Sequence, residues 1–115
     1  MKKLLIASIV TLAMGSCATA PRTLYAWHDY ADMTYEYSKK PTDELKNKVL
    51  EEYQLMIDKQ NGTRGVVPPG MFAEYGYMLY RLGKTEEGLK YMKQESDLYP
   101  ESEKYISRII KQLEK

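Results

Sequence analysis

Few residues in this 115-residue chain could do chemistry: one cysteine, one histidine, and an uncommon supply of eleven tyrosines. Cys17 is the most informative of them. It follows Lys2 and Lys3, a mostly apolar, uncharged run from Leu4 to Met14, and the small pair Gly15-Ser16, which is the basic, apolar and small-residue order of a secretory leader. A cysteine directly after such a pair is where a thiolate is alkylated with diacylglycerol, and cleavage between Ser16 and Cys17 then leaves an acylated N-terminus. The apolar run is shorter than the roughly 20 residues a membrane span takes, and it lacks the polar face of a globular helix. An ordinary leader cut near Ala18 or Ala20 is the remaining alternative. Residues 1–16 are thus expected to be a signal peptide, 17–23 a lipidated cysteine and tether, and 24–115 the folded domain.

Acylation at Cys17 carries consequences of its own. Each buried methylene contributes about 0.8 kcal/mol, so two or three chains on one cysteine hold a protein at a bilayer. The membrane is then the first expected partner. Ala18 stands where an aspartate would favour inner-membrane retention, which leans the expectation toward the outer membrane, facing the periplasm. With its thiol consumed, the processed chain has no cysteine left for a disulfide or for redox chemistry. Loss of Lys2 and Lys3 leaves 15 lysines and arginines against 16 aspartates and glutamates, a balance that gives no reason to expect nucleic acid.

The remaining reactive types make a thin catalytic repertoire. His28-Asp29 is a neighbouring pair, and adjacent helical residues point to different faces, so it does not form a base with its orienting group. One histidine without a free cysteine leaves only carboxylates as metal ligands, and no calcium-binding loop is present. No catalytic residue, metal or cofactor is expected, and the chain does not read as an enzyme. Two kinds of residue invite a binding role. Glu95 is a candidate buried carboxylate: it either lies solvated at the edge of an open face or is buried and needs a donor such as a tyrosine hydroxyl or an arginine. Trp27, Tyr30, Tyr35, Tyr37, Tyr75 and Tyr80 are the candidate partner-binding aromatics, although an aromatic stripe at helical spacing is also what a core looks like.

The elements that must position these residues read as helices throughout. Trp27, Tyr30, Ala31 and Thr34 share one face of a helix expected from Thr23 to Lys40, which Pro41 ends. A second helix begins at Thr42 or Asp43, carries Leu45, Val49, Tyr53, Met56 and Ile57 on one side, and stops at Asn61-Gly62. Thr63 to Gly70 is a connector stiffened by Pro68-Pro69. Beyond it, Phe72-x-x-Tyr75-Gly76-x-x-Leu79, then Gly83, Gly88, Met92 and Pro100, match the spacing of the tetratricopeptide signature. Thr85 is expected to cap the second helix of that unit, with Glu86 and Glu87 in its first turn. Ser102 starts a final helix with Tyr105, Ile106, Ile109 and Leu113 on one face. The frame Trp27-x-x-Tyr30-Ala31-x-x-Thr34 echoes the Phe72 frame, 45 residues upstream where the repeat period is about 34. The expected fold is all-α: two tetratricopeptide-like helical hairpins plus a C-terminal capping helix, with a five-helix bundle lacking repeat geometry as the alternative.

Leu24-Tyr25-x-Trp27-x-x-Tyr30, Val67-Pro68-Pro69-Gly70, Gly76-x-x-x-Tyr80-x-x-x-Gly83, and Glu95 with Tyr99-Pro100-Glu101-Ser102 occur in that order. On these segments the chain resembles, over nearly all of its processed length, a family of small bacterial lipoproteins classed as a domain of unknown function with a tetratricopeptide-like fold. The resemblance implies no activity. It does imply company, because members of that family are often encoded beside a lipoprotein similar to the curli secretion channel and beside a second small lipoprotein. The function expected from residues and resemblance together is a lipid-anchored helical protein-interaction module within an assembly of envelope lipoproteins. The alternative is a periplasmic glycan or peptide binder that uses stacked tyrosines, which would set an exposed aromatic cluster in a groove with carboxylates nearby.

Overall fold

The computed structural model describes residues 22–115; the leader, Cys17 and most of the tether lie outside the described residues. Five α-helices follow one another: α1 Tyr30–Lys39, α2 Asp43–Asp58, α3 Met71–Arg81, α4 Thr85–Leu98 and α5 Glu103–Leu113, the last entered through a 3-10 turn over Pro100–Ser102. No strand occurs among the described residues, and the fold is all-α. α1 packs on α2, α3 on α4, and α5 on α4. In both hairpins the contacting residue numbers run in opposite directions, Tyr30 with Tyr53 against Tyr37 near Lys46 in the first and Tyr75 with Tyr91 against Gly70 with Glu95 in the second, so the paired helices are antiparallel.

Local chemistry accounts for the helix starts. Thr42 is extended and its Oγ1 accepts from Leu45 N at 3.2 Å, while Asp43 and Glu44 place negative charge in the first turn of α2. α2 buries Val49, Tyr53 and Met56 on one side. These three join Val67, Met71, Tyr75 and Leu79 in the core, which therefore sits between α2, the connector and α3. α3 and α4 meet backbone to backbone. A Cβ added to Gly76 would lie 2.5 Å from the Gly88 carbonyl oxygen, and one added to Gly88 would lie 2.5 Å from that of Gly76. Only glycine at both positions permits this approach.

The first helix is shorter than its pattern suggests. It begins at Tyr30 rather than Thr23, because His28 has φ of 47° and no α-helix continues through that conformation. Thr23 to Ala26 run instead along the turn after α2. Thr63 N donates to Thr23 O at 3.0 Å and Arg64 N to Leu24 O at 3.1 Å. The Gln60 side chain brackets Ala26, its Oε1 accepting from Ala26 N at 2.6 Å and its Nε2 donating to Ala26 O at 3.2 Å. The inward face of α1 is consequently Tyr30, Met33 and Tyr37, whereas Ala31 is exposed and Trp27 precedes the helix. The match between the Trp27 and Phe72 frames does not hold.

One smaller expectation also gives way. Thr85 is the first residue of α4 and its hydroxyl makes no capping bond, since the preceding residue, Lys84, occupies the cap position. Tyr105, Ile106, Ile109 and Leu113 do share one face of α5, the one turned toward α3, with Tyr105 at its rim, 62% exposed, and Ile106 buried.

Candidate functional site

A chain of aromatic rings crosses the molecule from the start of α1 to α4. Tyr25 meets Trp27 edge-on at 6.1 Å between centroids, Trp27 meets Tyr30 at 5.8 Å, Tyr30 meets Tyr53 at 5.5 Å, Tyr53 meets Tyr75 at 5.7 Å, and Tyr75 meets Tyr91 at 4.8 Å. Such spacings are those at which aromatic pairs attract beyond their buried area. At the middle of this chain sits one carboxylate. Glu74 Oε2, on α3, accepts from Tyr30 Oη at 2.8 Å and from Tyr53 Oη at 2.6 Å, so α1, α2 and α3 converge on a single oxygen.

Burial first, then the hydrogen bond and charge of Glu74, push the Tyr30 phenol up to about 12 and drive the Tyr53 phenol up further. Both hydroxyls therefore stay protonated donors at neutral pH. No lysine or arginine among the described residues forms an ion pair with Glu74; the two pairs present, Lys46 with Asp43 and Lys48 with Glu44, are local to α2.

Glu95 is a separate device. It is 2% exposed, and its carboxylate accepts from Gly70 N at 2.6 Å and Ala73 N at 3.3 Å. The donors are thus backbone amides, not the tyrosine or arginine expected from sequence. Gly70 explains why. It occupies the N-cap of α3 with φ of 94° and has no side chain to accept from the free amides of the first turn, so an acceptor has to come from elsewhere. Glu95, on the antiparallel partner helix, supplies it from 25 residues downstream. A carboxylate at a helix N-terminus is also favoured by the helix dipole.

The six candidate aromatics separate. Trp27, which is 42% exposed, and Tyr30 stand together, and Tyr75 joins them through Tyr53 although it is itself core at 5% exposed. Tyr35 is 60% exposed on the outer side of α1, where the Lys39 ammonium lies 4.7 Å from its ring centroid. Tyr37 packs against the core. Tyr80 donates to the Leu113 carbonyl at 2.9 Å and ties α3 to the end of α5. His28 reaches the Lys59 carbonyl at 3.2 Å and has no bond to Asp29.

Sequence reasoning missed Glu74 and Tyr77, and gave Tyr53 and Tyr105 a place on a helix face but no part in a site. Only the one-turn spacing of Glu74 and Tyr77 was a signal; the convergence of Tyr30, Tyr53 and Glu74 depends on contacts across three helices. Glu74, Tyr77 and Tyr105 line a groove of about 490 Å³ between α3 and α5, floored by Met92, Ile106, Ile109 and Leu113. Among the described residues no cluster of three His, Cys, Asp or Glu is placed to hold a metal, and no helix is long and apolar enough to cross a membrane.

The class of protein is therefore an all-helical one, built of two hairpins and a closing helix, with a tyrosine-held carboxylate beside an apolar groove. Residues 24–109 match the family described as a domain of unknown function, DUF4810, and the chain belongs to that family. No curated protein and no solved structure matches it.

Proposed function

We propose that the chain is a lipoprotein anchored through Cys17 in the bacterial envelope, at the outer membrane facing the periplasm, and that its tetratricopeptide-like helical domain is a non-enzymatic protein-interaction module. Its partners are other envelope lipoproteins, within an assembly related to curli-secretion-channel-like proteins. The observation that carries this reading is the apolar groove bordered by Tyr77 and Tyr105, 43% and 62% exposed, whose Glu74 also accepts from Tyr30, itself packed against the 42% exposed Trp27. Tyrosine and tryptophan on an open helical face are the residues that protein recognition favours.

The glycan-binding alternative also draws on an aromatic groove with a carboxylate beside it. Its difficulty is the floor: Met92, Ile106, Ile109 and Leu113 offer no side-chain hydrogen bonds to a polyhydroxylated ligand, and among the described residues Glu74 and Gln112 are the only polar side chains lining the groove besides the tyrosine hydroxyls. A protein segment matches that floor better.

The test is crosslinking in living cells with a photoreactive residue placed in turn at Trp27, Tyr77, Tyr105 and Tyr35, followed by mass spectrometry of the adducts and of the processed N-terminus. An acylated Cys17 and adducts with another envelope lipoprotein are the expected results. An unmodified N-terminus, or adducts with glycan only, would remove the proposal.

A further inference from the structure

Resting on the interaction-module reading and narrowing it, we infer that the groove between α3 and α5 receives a partner segment whose apolar side chains flank a lysine or arginine, with the cation seated on Glu74. The groove's interior is apolar and, among the described residues, Glu74 is the only charged one lining it. Two tyrosine hydroxyls, Tyr30 at 2.8 Å and Tyr53 at 2.6 Å, both bind Oε2, and no donor among the described residues binds Oε1. The carboxylate is thus fixed in direction, with one oxygen uncommitted at the edge of a greasy surface.

Charge complementarity selects the occupant. A purely apolar segment covering this groove would take water away from the carboxylate without replacing it, and that desolvation is costly. An acidic segment would be repelled. A lysine or arginine amid apolar residues satisfies both the floor and the wall, and the aromatic rims at Tyr77 and Tyr105, 43% and 62% exposed, suit the stem and face of such a side chain. The two phenols add preorganisation: because Glu74 is already aligned, little side-chain freedom is lost when the cation arrives.

The experiment uses the full acylated chain in detergent micelles as bait for a displayed library of random peptides. Enriched peptides should carry lysine or arginine between large apolar residues. Their affinity should fall about tenfold or more in Glu74→Gln, a loss expected for a charged hydrogen bond, and to a similar or greater extent in Ile109→Ser, while Glu87→Gln, exposed in the first turn of α4 and away from the groove lining, leaves it unchanged. Melting curves of each variant establish that the fold survives, and Tyr53→Phe, which leaves the groove floor intact, should weaken binding by a smaller factor.

Enriched peptides without a basic residue, binding indifferent to Glu74→Gln, or no enrichment at all would each overturn the inference. So would a dimer in sedimentation that Ile109→Ser dissolves, since that assigns the groove to a second copy. Adducts with envelope lipoproteins in cells alongside any of these results would leave the interaction module standing and remove only the cationic segment.

Discussion

In the hairpin of α3 and α4 the helices touch through their backbones at Gly76 and Gly88, and a buried glutamate on one caps the other; α1 and α2 contain no glycine and are joined by rings and side-chain clips. α1 has no fully buried residue, and it is held by Tyr30 against Tyr53, by Glu52 Oε2 accepting from Asp29 N at 3.1 Å, and, just ahead of the helix, by Gln60 around Ala26. The second hairpin is a tight joint whose geometry depends on the absence of atoms. The first is an adjustable one whose geometry depends on their presence, and it contributes Tyr30 and Tyr53, the groups that aim Glu74.

The sharpest break of that contrast is Gly88→Leu. Its Cβ would meet the Gly76 carbonyl oxygen at 2.5 Å and Tyr80 N at 2.7 Å, both backbone atoms that cannot turn aside, and a loss of about 3 kcal/mol or more is expected, read as a large drop in melting temperature. Glu95→Ala comes next. It strands two amides at the start of α3 and should cost about 2 kcal/mol in urea denaturation, while Glu95→Gln, which keeps one acceptor, should lose less.

The first hairpin answers to pH instead. The folded Tyr30 phenol titrates near 12, above the unfolded value of 10.0, so its contribution is fully present below pH 10.0 and is lost as the pH rises toward 12; denaturation midpoints should decline over that window, and Tyr30→Phe should flatten the decline. Gln60→Ala is milder, with about 1 kcal/mol expected and most of it local: amide exchange should quicken at Ala26, Gly62 and their neighbours before the melting temperature moves much. Tyr35→Ser, on the open side of α1, should change stability by less than about 0.5 kcal/mol.

The same contrast explains what could be read in the chain before its coordinates. Gly76, Gly83, Gly88 and Pro100 announce the second hairpin because close approach, tight turns and helix ends have residue requirements that show at short range. Thr42 announces α2 for the same reason. The start of α1 was hidden, since the left-handed His28 and the pairing of Thr23 and Leu24 with Thr63 and Arg64 follow from contacts about 40 residues apart. Glu95 stood out as a carboxylate in an unexpected position, yet its donors could not be named, because backbone amides leave no trace in residue type. Glu74 stood out not at all: a glutamate on a helix is ordinary until Tyr30 and Tyr53 are brought to it.

If Cys17 carries the proposed acyl groups, the bracing of Thr23 to Ala26 against the turn at residues 60–64 would set how far the domain can wander from a lipid surface. For a chain held by acyl groups on Cys17, five residues lie between the anchor and the first braced position, Thr23, and the six steps of a fully stretched backbone span only about 20 Å. On the proposed anchor, the groove would search a thin layer just above the headgroups, which would favour a neighbour embedded in or moored to the same leaflet.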